Sequence, residues 1–447
     1  MRIRINFQHQ LPGFTPQIAY VVDFLHQHPL KPNPIHWTIN GEPNPDDVSI
    51  HYGNPTSTAS YQVPAQGLLF QQSLPDINQL RPSTYLFDAT LLHSVEKASG
   101  PQRPFFQNGR FGFDWVEMLF FHLSRLEEYH AKEEDWDEWE MMRADRQFLS
   151  KHRLHHRPVV DQLVVALYTA LGFPPQQFPT RYSLSHDVDV IRKFTTPYQY
   201  LRAAGRLLRQ GRGWSAQRQL WRGYWKSRSR EWQDPYDTFD WLLKSGGKVE
   251  KVLYVLAGGV TPYDRFCQIA HPAMAEVLEL AQQRGYQVAL HPSYAAHREE
   301  ALFERERGRL ETLVGESLRQ SRQHFLHFDF RETPQLLERQ GILVDSSLGY
   351  QDQIGFRCGT GFAYALYHFA EQRAFRFKEK PLIVMDTALL MHTQENVAAF
   401  EQQLKQFLEQ NREGTQVTFN FHNSTFDPLR LEAAHLKQLY LALLATF

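Results

Sequence analysis

Residues 182–189, YSLSHDVD, form a short run of apolar and small residues that ends on two carboxylates two positions apart. Side chains alternate along an extended strand, so Asp187 and Asp189 point to one side and His186 to the other. Comparable runs recur downstream as KVLYVLAGG, YQVALHPS, GILVDSS, LIVMD and QVTFNFHNS. Between several of them lie amphipathic stretches such as PAMAEVLELAQQRG, ETPQLLERQG and NVAAFEQQLKQFLEQN. That alternation is the mark of repeated β-α units and a largely parallel sheet. Most runs finish on an ionisable residue, and functional groups of an α/β barrel gather at the C-terminal ends of its strands. Asp187, Asp189, His291, Asp345, Asp386 and His422 are therefore expected to converge on one face. Periodicity leaves open whether the sheet closes.

Working outward, the 447 residues exceed what one ordinary core sustains, so more than one domain, or one domain with a large extension, is expected. Residues 1–95 read as a small mixed α/β domain, with a strand at the start, a helix over TPQIAYVVDFLHQH and then a polar stretch. Residues 96–178 read as a helical connecting region. In it FDWVEMLFFHLSRLEEY places Val116, Leu119, Phe120, Leu123 and Leu126 at helical spacing, which predicts an amphipathic helix packed on a neighbouring domain. The acidic run EEDWDEWE (133–140) reads as a solvated face. Residues 179–447 carry the β-α repeats, interrupted by a basic helical insertion at 192–240.

A net charge of −1 excludes a global field that would draw nucleic acid or membrane, so any such preference is local. The insertion is the one candidate. Residues 192–230 hold eleven Lys or Arg and no Asp or Glu, with Trp214, Trp221, Tyr224 and Trp225 interleaved. They form either a grip for an anionic partner or a solvated helix paired with the acidic run; no base-reading motif accompanies them. Cys267 and Cys358 lie far apart, which indicates neither a disulfide framework nor a cysteine zinc site. The first residues lack a signal-peptide core, and no run of about 18 apolar residues suggests a span, so a cytoplasmic location is expected.

Hydrolysis of an amide or ester by metal-bound water needs a cation held by carboxylate and imidazole, a carboxylate base and an acid for the leaving group. A lone D-x-D pair is a weak sign of this, and so is any one of 21 histidines. What discriminates is shared placement after an apolar strand and before a loop, which His291 in LHPSY and His422 in NFHNS have in common with the aspartates.

The ordered series SHDVD, LHPSY, RQHFLHFDFRETPQLLERQGILVDSSLGY and FNFHNS resembles the polysaccharide deacetylase superfamily, the family-four carbohydrate esterases with a distorted (β/α) barrel. The similarity covers about residues 100–430 and is nearest to a bacterial subgroup with an extra N-terminal region before the barrel. It implies a hydrolase of non-peptide carbon–nitrogen bonds that de-N-acetylates a sugar or polysaccharide precursor with a divalent metal ion, zinc being expected. By the same resemblance Asp187 is the catalytic base, Arg322 the residue that orients it, and His422 the acid for the leaving amine. Asp189 and His291 are metal ligands. The family's second metal histidine falls at Ala295, which cannot ligate; His324, His297 and His186 are the substitutes, with His324 favoured because Arg322 beside it already maps to the site. Tyr294 and Arg357 are the candidates for substrate contacts. The stretch GFRCGTGFAY containing Arg357 reads equally as a substrate loop or as a tight turn with a buried arginine bridge; a nucleophile role for its Cys358 is the weakest of these readings. A metal-independent amidohydrolase on the same barrel, or a degenerate barrel that binds glycan or a lipid-linked sugar phosphate, are the alternatives.

Overall fold

A computed structural model of the chain describes residues 2–7, 14–40, 46–53, 60–70, 76–194, 196–209, 211, 214–228, 234–244, 249–265, 267–391, 396–430 and 432–446. Residues 195, 210, 212, 213 and 229–233 of the basic insertion therefore lie outside the described residues.

The β-α repeats build one eight-stranded sheet. Counting only its strands, these are β1 (Arg181–Val188), β2 (Glu250–Leu256), β3 (Gln287–His291), β4 (Gln320–Ser321), β5 (Val344–Asp345), β6 (Lys378–Glu379), β7 (Val384–Met385) and β8 (Gln416–His422). Their order is β6-β5-β4-β3-β2-β1-β8-β7, and every pairing is parallel. Among the described residues no pairing joins β6 to β7, so the sheet is an open half-barrel. Parallel strands need helical crossovers. Ala273–Gln283, Glu300–Val314, Thr333–Arg339 and Val397–Gln410 supply them, each burying one apolar stripe. Register sets the site: Asp187 lies beside Tyr254 on β2 and His422 on β8, and Leu256 lies beside His291. All eight strands thus open on one end.

The N-terminal region is mixed α/β. A strand at Arg2–Phe7 and a helix at Thr15–Gln27 fall where sequence periodicity places them. The polar stretch that follows also holds strands, His36–Ile39, Val48–Tyr52 and Tyr61–Val63, which extend a mostly parallel six-stranded sheet. A hairpin of Arg81–Phe87 and Thr90–Glu96 adds a second, small sheet. One continuous set of buried side chains runs from Ile3 to Phe377, so this region and the half-barrel share a core.

The stretch expected as an amphipathic helix differs. Trp115–Leu123 is helical, but every residue in it is buried, Glu117 and His122 included. It stops at Ser124, and Arg125 takes a left-handed conformation (φ 53°) before a short turn at Leu126–Tyr129. Glu117 is satisfied internally, accepting the Leu68 and Leu69 amides at 3.2 Å each, whereas His122 Nδ1 is buried without a hydrogen bond. Asp114 caps the helix through the Glu117 amide at 3.0 Å and accepts the Tyr52 hydroxyl at 2.7 Å.

The basic insertion is a helical hairpin, Pro197–Arg209 and Trp214–Arg228. Among the described residues it makes no ion pair with the acidic run. The described ion pairs of that run go from Glu140 to Arg298 and His327, at 3.8 and 3.7 Å. Among the described residues no helix is long and apolar enough to cross a membrane.

Candidate metal centre and catalytic cluster

Six side chains named from the sequence meet at the open end of the sheet. His291 Nε2 lies 3.3 Å from Asp189 Oδ1 and 4.0 Å from Asp187 Oδ2. His324 Nε2 is 3.9 Å from Asp189 Oδ2, and His422 Nε2 is 3.9 Å from Asp187 Oδ2 and 3.8 Å from Asp189 Oδ2. Arg322 donates to Asp187 Oδ1 at 2.8 Å.

Each imidazole is held by its far nitrogen, which fixes where Nε2 points. His291 Nδ1 donates to the Arg322 carbonyl at 2.6 Å, His324 Nδ1 to Asp264 at 2.9 Å and His422 Nδ1 to Asp386 at 2.8 Å. Asp264 is itself fixed by the Thr261 hydroxyl at 2.6 Å and the Tyr294 amide at 2.9 Å. Its loop can fold back this closely because Gly259 has φ 137° and a Cβ there would stand 2.0 Å from that of Asp264.

Asp187 is set for a different task. Arg322 binds one oxygen and the Asn420 amide donates to the other at 2.8 Å. Arg322 is fully buried, held by Ser346 and Ser185 and lying 4.1 Å over the Tyr254 ring. Burial alone would raise the Asp187 carboxyl, but Arg322, with His291 and His422, holds it below the usual carboxylate range. Burial likewise opposes charge on His422, yet Asp386, Asp189 and Asp187 outweigh it and push its pKa up to about 10.

Asp189, His291 and His324 offer three ligand atoms within 4.8 Å of one another. Asp189 Oδ1 is buried and, its 3.3 Å ion-pair contact with His291 Nε2 aside, makes no hydrogen bond. One carboxylate and two imidazoles with anchored Nδ1 atoms are a donor set that suits a divalent ion, and the unsatisfied oxygen faces that set. His324, favoured among the three substitutes for Ala295, is the one that belongs to this set. His297 and His186, the other two substitutes considered, are engaged elsewhere. His297 donates to the Tyr294 carbonyl at 2.8 Å and its ring lies 3.8 Å from that of His327. His186 points to the opposite face of β1, against Phe421, Tyr440 and Tyr286.

Two sequence candidates for substrate contacts are committed to the scaffold. Arg357 is buried and bridged to Glu128, with a further bond to the Gly349 carbonyl at 2.9 Å. It therefore forms the buried bridge that was one of its two readings. The Tyr294 hydroxyl donates to the Trp139 carbonyl at 2.8 Å. Cys358 is fully buried, and burial pushes its thiol up to about 12, both of which weigh against a nucleophile role. Asp345 sits deeper, accepting the Ser321 hydroxyl at 2.6 Å and the Ser347 amide at 3.1 Å. Sequence reading missed Asn420 and Asp264. Asn420 precedes His422 by two on β8, so strand alternation would have put it on the same face; Asp264 lies in a loop and carries no such signal.

Residues 8–173 match the model of a family described as "Family of unknown function (DUF7033)". A comparison with curated proteins gave no match. Among solved structures the chain is similar to that titled "Crystal structure of putative polysaccharide deacetylase from Mycobacterium smegmatis", with a TM-score of 0.35 and 14% identity over 61% of this chain and 86% of that one.

Proposed function

We propose that the chain is a metal-dependent hydrolase that removes the acetyl group from an N-acetylated sugar or polysaccharide precursor, with zinc as its ion. One observation carries this reading: a three-donor set with an unsatisfied carboxylate oxygen lies within 4.0 Å of a second carboxylate that an arginine keeps charged. The motif series SHDVD, LHPSY and FNFHNS supports the same conclusion.

A divalent ion at Asp189, His291 and His324 would polarise the acetyl carbonyl and acidify water. Asp187, charged and anchored by Arg322 and Asn420, accepts the proton that water loses as its oxygen adds to the carbonyl carbon. His422, kept protonated by Asp386, gives a proton to the nitrogen as the carbon–nitrogen bond breaks, releasing acetate and a free amine. Base and acid thus start in opposite protonation states at neutral pH, which their surroundings impose.

The test is release of acetate and amine from acetylated chitooligosaccharides. Chelation should abolish it, zinc should restore it, and Asp187→Asn should lower kcat by about 10²- to 10⁴-fold. Turnover that survives both chelation and Asp187→Asn would refute this mechanism.

A further inference from the structure

The hairpin inserted after β1 has two faces. Inward, Tyr200 and Leu207 of its first helix and Ala216 and Leu220 of its second pack together with Phe194 and Leu429. That small core consumes their apolar side chains. The outward face should then be polar, and it is not. Trp214, Trp221 and Trp225, seven and four positions apart, form one row along the second helix, Trp214 being 90% exposed and Trp225 62%. Tyr198, Leu201 and Leu208 form a matching row on the first helix, 71%, 66% and 67% exposed. Arg202, Arg206 and Arg209 flank one row and Arg218 and Arg222 the other; all five are exposed and make no ion pair among the described residues.

We propose that this face docks the protein on an anionic lipid bilayer, with both helices lying in the plane of the headgroups. Tryptophan and tyrosine rows flanked by arginines suit the headgroup boundary, where apolar bodies enter the acyl edge and guanidiniums meet lipid phosphates. The fit to charge is complete over residues 192–230, which hold no acidic residue. Nucleic acid would use the arginines and could stack on the tryptophans, but Leu201 and Leu208 have no role on it. Helices of 13 and 15 residues are too short to cross a bilayer and long enough to lie on one. The hairpin leaves the sheet directly after Asp189, and Asn423, next to His422, ties its base through the Val190 and Tyr236 carbonyls at 2.9 and 3.1 Å. Docking therefore brings the site at the hairpin's base close to a bilayer surface, which favours substrates held at a membrane. The inference is independent of the hydrolase reading, since Asp187→Asn should bind lipid as the parent chain does.

Co-sedimentation of the full chain with vesicles of equal parts phosphatidylglycerol and phosphatidylcholine tests it, with vesicles of phosphatidylcholine alone and added polyuridylate as the other arms. Binding should require phosphatidylglycerol, weaken with salt, shift tryptophan emission to the blue and resist polyuridylate. Trp214→Ala with Trp225→Ala should weaken it by at least about tenfold, and Arg202→Gln with Arg206→Gln by roughly fivefold per arginine. Both pairs are exposed, so melting should be unchanged. No binding at low salt, or binding that neither pair weakens, overturns the proposal. So does polyuridylate that displaces the vesicles by binding the same tryptophans.

Discussion

Arg322 and Arg125 are both fully buried and both face carboxylates, one at the open end of the half-barrel and the other where the N-terminal region meets it. Around Arg125 both carboxylates are fully paired. Glu127 takes its guanidinium at 2.8 Å and the Phe148 amide at 2.6 Å, while Glu128 is shared between Arg125 and Arg357. A further donor of Arg125 goes to the Arg357 carbonyl at 2.6 Å. Around Arg322 only Asp187 is satisfied in this way. Two residues on, Asp189 has an oxygen with no hydrogen bond, and three imidazoles are pinned at one nitrogen with the other aimed at the aspartates. Buried charge therefore does not identify a site by itself; what sets the Arg322 region apart is a converging set of one carboxylate and two imidazoles beside that charge.

This contrast can be broken by mutation. Asp187→Asn should give the largest effect on chemistry, about 10²- to 10⁴-fold in kcat per folded molecule, read with melting curves as the control. Glu128→Gln removes charge from the closed network and leaves two buried arginines underpaired. It should cost about 3 to 5 kcal/mol of stability by denaturant titration while leaving metal stoichiometry alone. Asp264→Asn loosens the anchor of His324 and should weaken ion affinity by about 10- to 100-fold with little change in melting. Asp145→Ala, which removes an exposed partner of Arg143, should shift stability by less than about 1 kcal/mol. If Glu128→Gln lowered ion affinity as much as Asp264→Asn does, the two regions would not be separate in the way described.

The β-α rhythm and the convergence of strand ends were legible because both follow from local pattern: apolar runs of strand length, most of them ending on an acid or histidine. Alternation within SHDVD also sorts Asp187 and Asp189 from His186 without coordinates. His324 was reachable only by its neighbour, since Arg322 lies two residues before it. What stayed hidden is what depends on long-range contact. Nothing in FDWVEMLFFHLSRLEEY signals that the Thr15–Gln27 helix, the N-terminal sheet and the barrel loops cover it on all sides, so Glu117 reads as a surface residue. For Arg357 the substrate-contact and buried-bridge readings stay level in the sequence because its partner, Glu128, is 229 positions away. Short strands such as Tyr61–Val63 carry too few residues for a period to show.

Zinc titration of chelator-stripped protein, followed by calorimetry in the parent chain and in Asp189→Ala, tests the central claim most directly. The account predicts about one tightly bound ion per parent chain and loss of that binding in Asp189→Ala while the melting transition persists. Equal binding by both proteins, or none by the parent, would contradict it.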